Sequence, residues 1–451
     1  MSLYDLIIRN GTLVTVTGLQ QADLAVADER IVALGPEIAG TSREEIDAYG
    51  LHIFPGVIDA HVHFNEPGRS DWEGIGSGSR ALAAGGATAF FDMPLNAHPP
   101  TLDAPSFKLK HEAALASSHV DFALWGGLVP DNLDQLAELA QCGVIGFKAF
   151  MSNSGIDDFS SVDDYTLYEG MRRAAQLGKL VAVHAENDQI TSTLSNMAVL
   201  QGKTSVRDYL NSRPVVAELE AIERAILFAQ ETGCSLHIVH VSTGRGIRLI
   251  AEALTRGVDV SCETCPHYLV LTEEDVEALG AVAKCAPPLR AQSEQDELWQ
   301  HIFAGSLPMV ASDHSPAPAS MKTSPNFFRI WGGISGCQSL LTLLLTEGYQ
   351  RRHVPLPVIA SITSEYVARR FKLPPYKGEL MIGADADLAL IDLKQSAPLY
   401  ASELFYQHQH SPYVGKTMRA TIQRTLVRGT TVYQAGSIVA EPFGRLLTPQ
   451  S

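Results

Sequence analysis

Cysteine is scarce in this chain, with 6 residues in 451, too few for that length to form a disulfide framework. One pair, Cys262-Glu263-Thr264-Cys265, has metal-finger spacing, but a structural zinc site needs a second ligand pair and none is present. A redox motif would open a helix, whereas this one ends the strand-like run Val258-Asp259-Val260-Ser261. Reduced, packed thiols are expected. Positive charge is also in deficit: 34 Lys and Arg against 50 Asp and Glu give a net charge of −16. With no basic run, nucleic-acid binding is not expected, and an acidic surface attracts neither an anionic membrane nor an anionic substrate. No apolar run is long enough to span a bilayer. The start, Met1-Ser2-Leu3-Tyr4-Asp5, lacks a basic segment followed by an apolar one, so the cytoplasm is the expected compartment. A hydrophobic content of 45% with 19% charged residues is that of a globular chain, long enough for one large domain and a smaller one.

What is present is a tripeptide, His61-Val62-His63, at the end of the apolar run Ile53-Phe54-Pro55-Gly56-Val57-Ile58-Asp59-Ala60. Side chains alternate along a strand, so the two imidazoles share a face and suit one metal ion. Other apolar runs also end in a polar group: Val144-Ile145-Gly146-Phe147-Lys148, Leu180-Val181-Ala182-Val183-His184, Leu236-His237-Ile238-Val239-His240 and Leu307-Pro308-Met309-Val310-Ala311-Ser312-Asp313. Singly, each has a plainer explanation: a core histidine, an edge lysine, a helix-capping aspartate. Together they mark an active site.

The rest of the chain supplies a frame for it. Both ends carry short alternating strands, with Asn10-Gly11 as a tight-turn signal near the start. They predict a small β-sandwich domain built from residues 1–54 and 372–451. Residues 55–371 alternate strands with helical patterns such as Val216–Glu231, predicting an α/β fold, a (β/α)8 TIM-like barrel. Such barrels hold their chemistry at the carboxyl ends of the strands, where the candidate ligands fall.

The donor set is His61, His63, Lys148, His184, His240 and Asp313. An ammonium has no lone pair for a metal. A desolvated lysine can lose its proton and react with carbon dioxide, however, and the resulting carbamate can bridge two metals. His314 should point away from the cluster, His237 should be packing, and His267 and Glu263 should be supporting or structural residues.

The chain here resembles the cyclic amidohydrolases of the amidohydrolase superfamily, and the allantoinases among them. Segments that carry the likeness include Glu66-Pro67-Gly68-Arg69, Gly146-Phe147-Lys148-Ala149-Phe150, Cys262-Glu263-Thr264-Cys265-Pro266-His267-Tyr268, Ser312-Asp313-His314-Ser315-Pro316 and Trp331-Gly332-Gly333-Ile334. The resemblance implies two divalent metal ions, zinc foremost with manganese or cobalt compatible. His61, His63 and Asp313 would bind one, His184 and His240 the other, and N6-carboxylated Lys148 would bridge them. Asp313 would also be the catalytic general base and acid. The implied reaction is hydrolysis of allantoin to allantoate, in purine degradation and nitrogen assimilation, by a homo-oligomer, a tetramer in this family.

Substrate choice rests on the loops. Dihydroorotases place an arginine two residues after the second histidine to pair a ring carboxylate; here that residue is Asn65. Hydantoinases and dihydropyrimidinases place a tyrosine five residues after the lysine; here that residue is Asn153. Asn65, Ser315 and the backbone near Ala286 are the expected contacts to a small neutral cyclic ureide. Hydantoinase activity is the alternative, with dihydroorotase activity and a non-catalytic scaffold of this fold further behind.

Overall fold

Apolar side chains alternate along the central strands, and that alternation builds a barrel inside a ring of helices. The computed structural model describes residues 3–374 and 376–450. Strands Val57–Val62, Ala87–Asp92 and Asp121–Leu124 run parallel in one sheet, and Gly126–Gly127, Phe147–Phe150, Val181–His184, Leu236–Ile238 and Val260–Cys262 in another. The Ile145 amide donates to Leu124 O at 2.9 Å and joins the two. Parallel bridges from Thr264 to Val310 and from Val62 to His314 close the circle through the segment 310–314. Ile58, Ala60, Ala89, Phe91, Ala123, Trp125, Ala182, Met309 and Ala311 fill the interior. Their neighbours Val57, Phe90, Phe122, Phe147, Val181, Val183, Ile238 and Val260 pack outward against the helices. Inward and outward residues alternate with the period of a strand.

The helices begin and end where their residues dictate. Asp103 caps Ala104–Ser117, its carboxylate accepting from Ser106 N at 2.8 Å. Asp163 does the same for Asp164–Gln176. The predicted helix at 216–231 is Val215–Thr232, ended by Gly233 with φ 69°. Among the described residues no helix is long and apolar enough to cross a membrane.

Both chain ends meet in a second sheet of 9 strands with its own apolar core, including Leu6, Leu13, Leu24, Ile53, Leu388 and Leu426. His52–Pro55 pairs antiparallel with Leu388–Asp392 and thereby joins the two ends. Asn10-Gly11, expected as a turn, instead lies within the continuous strand Leu3–Thr15 as a register irregularity between Ile8 and Gly11. Asn10 takes φ 60° and its amide donates to Asp23 Oδ1 at 3.0 Å. The dipeptide provides the left-handed residue of a bulge rather than of a hairpin. The closing barrel segment, predicted as a strand over 307–313, makes only single bridges. Pro308 has no amide to donate, and the Ser312 amide goes to the Asp59 carboxylate at 2.9 Å instead of to a neighbouring strand.

The sheet and the barrel base share a buried ionic knot. Lys377 Nζ lies 2.7, 2.8 and 2.7 Å from carboxylate oxygens of Asp121, Asp385 and Asp387. Arg428 also pairs with Asp121, which begins a barrel strand. Removing one partner of a buried ion pair leaves an uncompensated charge and costs about 3–5 kcal/mol. Lys377→Met should lose stability on that scale in denaturant unfolding. A loss below about 1 kcal/mol would show the knot to be energetically idle.

Candidate metal and active site

Local irregularities aim the site residues. A register shift falls between Asp59 and Val62. Ile58 and Ala60 point into the barrel, whereas Val62 and Phe64 beyond the shift pack outward and His61 and His63 line the mouth. The Asp59 carboxylate accepts from the amides of Ser312 at 2.9 Å and His61 at 3.4 Å, pinning the first strand to the closing segment. Burial pushes the Asp59 carboxyl up to about 6. Behind His63, the Phe64 amide donates to Asp92 Oδ1 at 2.8 Å, and Asp92 in turn pairs with Lys110 at 2.7 Å. His240 follows the inward residues His237 and Val239, so strict alternation would turn it outward. Its φ of 40° brings it to the mouth instead, and Asp313 has φ 46°. Left-handed backbone at residues other than glycine costs on the order of 1–3 kcal/mol and collects at functional sites.

The imidazoles are held from behind. His61 donates from Nδ1 to Glu263 Oε1 at 2.6 Å, leaving Nε2 3.3 Å from Asp313 Oδ1. His63 Nε2 lies 3.5 Å from the same oxygen. His184 Nε2 bonds Glu186 Oε2 at 2.8 Å, and Arg213 clamps that carboxylate at 2.5 Å. The other nitrogen of His184, Nδ1, is 3.1 Å from His240 Nε2. Each held ring has one nitrogen bound to a carboxylate and the other turned into the cluster, the arrangement of supported metal ligands.

Lys148 lies beneath the rings, fully buried, its Nζ without a hydrogen-bond partner and 4.9 Å from the centre of the Phe150 ring. Burial lowers its pKa to about 7, so a large share of the amine is neutral and nucleophilic near neutral pH. Burial also lowers His63, His184 and His240, toward the neutral form in which an imidazole can ligate a metal. Asp313 is raised by burial, but His61, His63 and His240 outweigh that and hold it ionised, well below the usual carboxylate range. Burial likewise raises Glu263, while His61 and His237 bring it down to about 2. Neutral imidazoles, ionised carboxylates and a deprotonatable amine make a donor set for divalent cations. His61, His63 and Asp313 offer atoms within 4.8 Å of one another.

His61, His63, His184, His240 and Asp313 line one cavity of about 80 Å³, together with Asn96, Phe150, Asn153, Ala286, Ser315 and Trp331. Ala286 and Ser315, two of the expected substrate contacts, are among its lining residues. Asn65 does not line it: with φ 63°, its amide nitrogen turns to Pro316 O at 3.4 Å. His314 faces away, accepting from the Gly336 amide at 3.0 Å. His237 does more than pack, since its Nε2 bonds Glu263 at 3.1 Å and so steadies the carboxylate that holds His61. Glu186 is not singled out by any strand pattern, because it lies two residues beyond His184, where the strand Val181–His184 ends. Glu263 stands 202 residues from His61, beyond any local pattern.

Comparisons with known proteins agree on what this geometry resembles. The Amidohydrolase family matches residues 52–432. An allantoinase of Rubrobacter xylanophilus is 58% identical over 450 residues, 100% of this chain and 99% of that protein. An allantoinase of Deinococcus radiodurans is 53% identical, with 100% of both chains covered. Among solved structures, the L-hydantoinase (dihydropyrimidinase) of Arthrobacter aurescens superposes with a TM-score of 0.96 at 34% identity, covering 99% of this chain and 100% of that one. A dihydropyrimidinase of Brevibacillus agri gives 0.91 at 32% identity, covering 98% and 97%.

Glu263 tests the support of the cluster. Loss of such a carboxylate typically weakens metal binding about 10- to 100-fold. Glu263→Gln should do so in competition with a chelator, with the fold retained by circular dichroism. Unchanged metal affinity would show that Glu263 does not set His61.

Proposed function

The chain belongs to the amidohydrolase family, and on that premise we propose that it hydrolyses allantoin to allantoate. The observation that carries this reading is full-length likeness to allantoinases at more than half identity. The donor cluster at the barrel mouth supports it. His61, His63 and Asp313 would hold one divalent ion and His184 and His240 the other, with Lys148 between them. Zinc is the proposed metal; manganese and cobalt suit the same donors. Lys148 would react as a neutral amine: its Nζ lone pair forms a C–N bond to carbon dioxide, one proton leaves, and an anionic carbamate results.

Two ions bound there would supply a nucleophile from water near neutral pH and polarise the ring carbonyl. The chain's own residues do the rest. Asp313, ionised and facing both His61 and His63, takes the proton of the attacking water on a carboxylate oxygen. It then returns a proton to the departing ring nitrogen, which is a poor leaving group until protonated. Glu263 and Glu186 keep His61 and His184 from turning. Residues 55–371 form the catalytic barrel in this proposal, and 1–54 with 372–451 the sheet domain. A cytoplasmic homotetramer belongs to the same reading.

Hydantoinase activity is the second reading, favoured by the TM-score of 0.96 to an L-hydantoinase. Dihydroorotase activity is disfavoured by the cavity. No lysine or arginine lines it among the described residues, and Arg69 is bound to Asp158 at 2.8 Å. A substrate carboxylate would enter without a cationic partner, at a cost of several kcal/mol.

The test is kcat/KM for allantoin, unsubstituted hydantoin and dihydroorotate with one metal. Allantoin should lead, and dihydroorotate should fall at least about 100-fold below it, the rate equivalent of roughly 2.7 kcal/mol. Preference for hydantoin would favour the second reading. Equal values for allantoin and dihydroorotate would defeat the account of specificity.

A further inference from the structure

The segment Glu66-Pro67-Gly68-Arg69 takes no part in this chemistry, yet each of its residues holds something in place. The Glu66 carboxylate accepts from the Ile75 amide at 2.8 Å, at the start of helix Ile75–Ala84. Gly68 has φ 83°, and a Cβ there would lie 2.0 Å from the His98 carbonyl oxygen. Only glycine lets these two loops lie so close. Beside it, the His98 amide donates to Pro67 O at 2.7 Å. Arg69 then reaches across, its Nη1 donating to the carbonyls of Asn96 at 3.1 Å and Ala97 at 3.3 Å. Its Nη2 is bound to Asp158 Oδ2 at 2.8 Å.

What these contacts hold is Asn96. Its backbone is left-handed, with φ 69°, a conformation that asparagine tolerates better than other side chains but that still carries strain. The residue is 3% exposed and lines the cavity beside His61, His63 and Asp313. Its carbonyl is taken by Arg69, whereas its side-chain amide makes no hydrogen bond to another described residue and is open to the cavity. Two loops, a guanidinium and a carboxylate therefore converge on a strained residue that presents an unpaired amide to the cavity.

We propose that Asn96 is a specificity-determining residue that hydrogen-bonds an amide group of the substrate, and that Arg69, braced by Asp158, positions it. The inference rests on the reading of this cavity as the site for a neutral cyclic ureide. A primary amide offers both a donor and an acceptor, the complement of the N–H and C=O pairs of a ureide. It offers nothing that neutralises a carboxylate.

The decisive variant is Asn96→Gly, because glycine adopts φ 69° without strain and loses only the amide. We expect unchanged metal content, a melting temperature at or above that of the wild type, and a fall of at least tenfold in kcat/KM for allantoin. Arg69→Met should also lower kcat/KM in the wild-type background, but add less than twofold in the Asn96→Gly background, since its effect passes through Asn96. An Asn96→Gly enzyme within twofold of wild type overturns the substrate contact. Fully additive penalties overturn the positioning role of Arg69. Wild-type turnover is measured first. If that enzyme opens a different cyclic amide, the proposed function fails, and the same variants are run on the ring it does open.

Discussion

An amine sealed inside a barrel with no acceptor is the constraint on which this site depends. Burying a charged lysine without a partner is expensive, and the group responds by giving up its proton. The surroundings of Lys148 enforce that response. Its near neighbours are the Phe150 ring and imidazoles whose pKa values burial lowers. The carboxylates of Glu263 and Glu186 lie behind the histidines, where they pair with His61 and with His184 and Arg213. No carboxylate is within salt-bridge distance of the lysine among the described residues. The amine is therefore available for covalent chemistry.

The barrel is regular where it carries load and irregular where it carries chemistry. Inward and outward side chains alternate through most of each strand, but the register shifts between Asp59 and Val62, and His240 and Asp313 take left-handed backbone. These departures are stabilised by side chains that receive backbone amides, as Asp59 and Asp92 do. A rigid scaffold with such irregular ends converts strand geometry into a cluster of ligands. The same device recurs at Asn96, whose left-handed backbone is held by Arg69 rather than by a strand.

Much of this was legible in the sequence because it depends on short periods. The shared face of His61 and His63, Lys148 in an apolar run and the helix Val215–Thr232 follow from periods of two and 3.6 residues. The long-range pairs were not legible. Glu263 supports His61 from 202 residues away, and Lys377 meets Asp121 across 256. Asn10-Gly11 has the chemistry of a turn, but Asp23 and strand pairing on both sides turned it into a bulge. Asn65 was placed by counting from His63, yet a left-handed backbone takes its side chain to Pro316. Linear offsets fail where the chain turns.

The central claim is that Lys148 carries a carboxylate when the site is loaded. The direct measurement is carbon-13 NMR of the metal-loaded protein prepared in labelled bicarbonate, with metal content determined on the same sample. The account predicts one carbamate resonance per chain, close to two ions per chain, and loss of the resonance in Lys148→Ala. Two bound ions with no carbamate signal, or a signal that survives in Lys148→Ala, would contradict it.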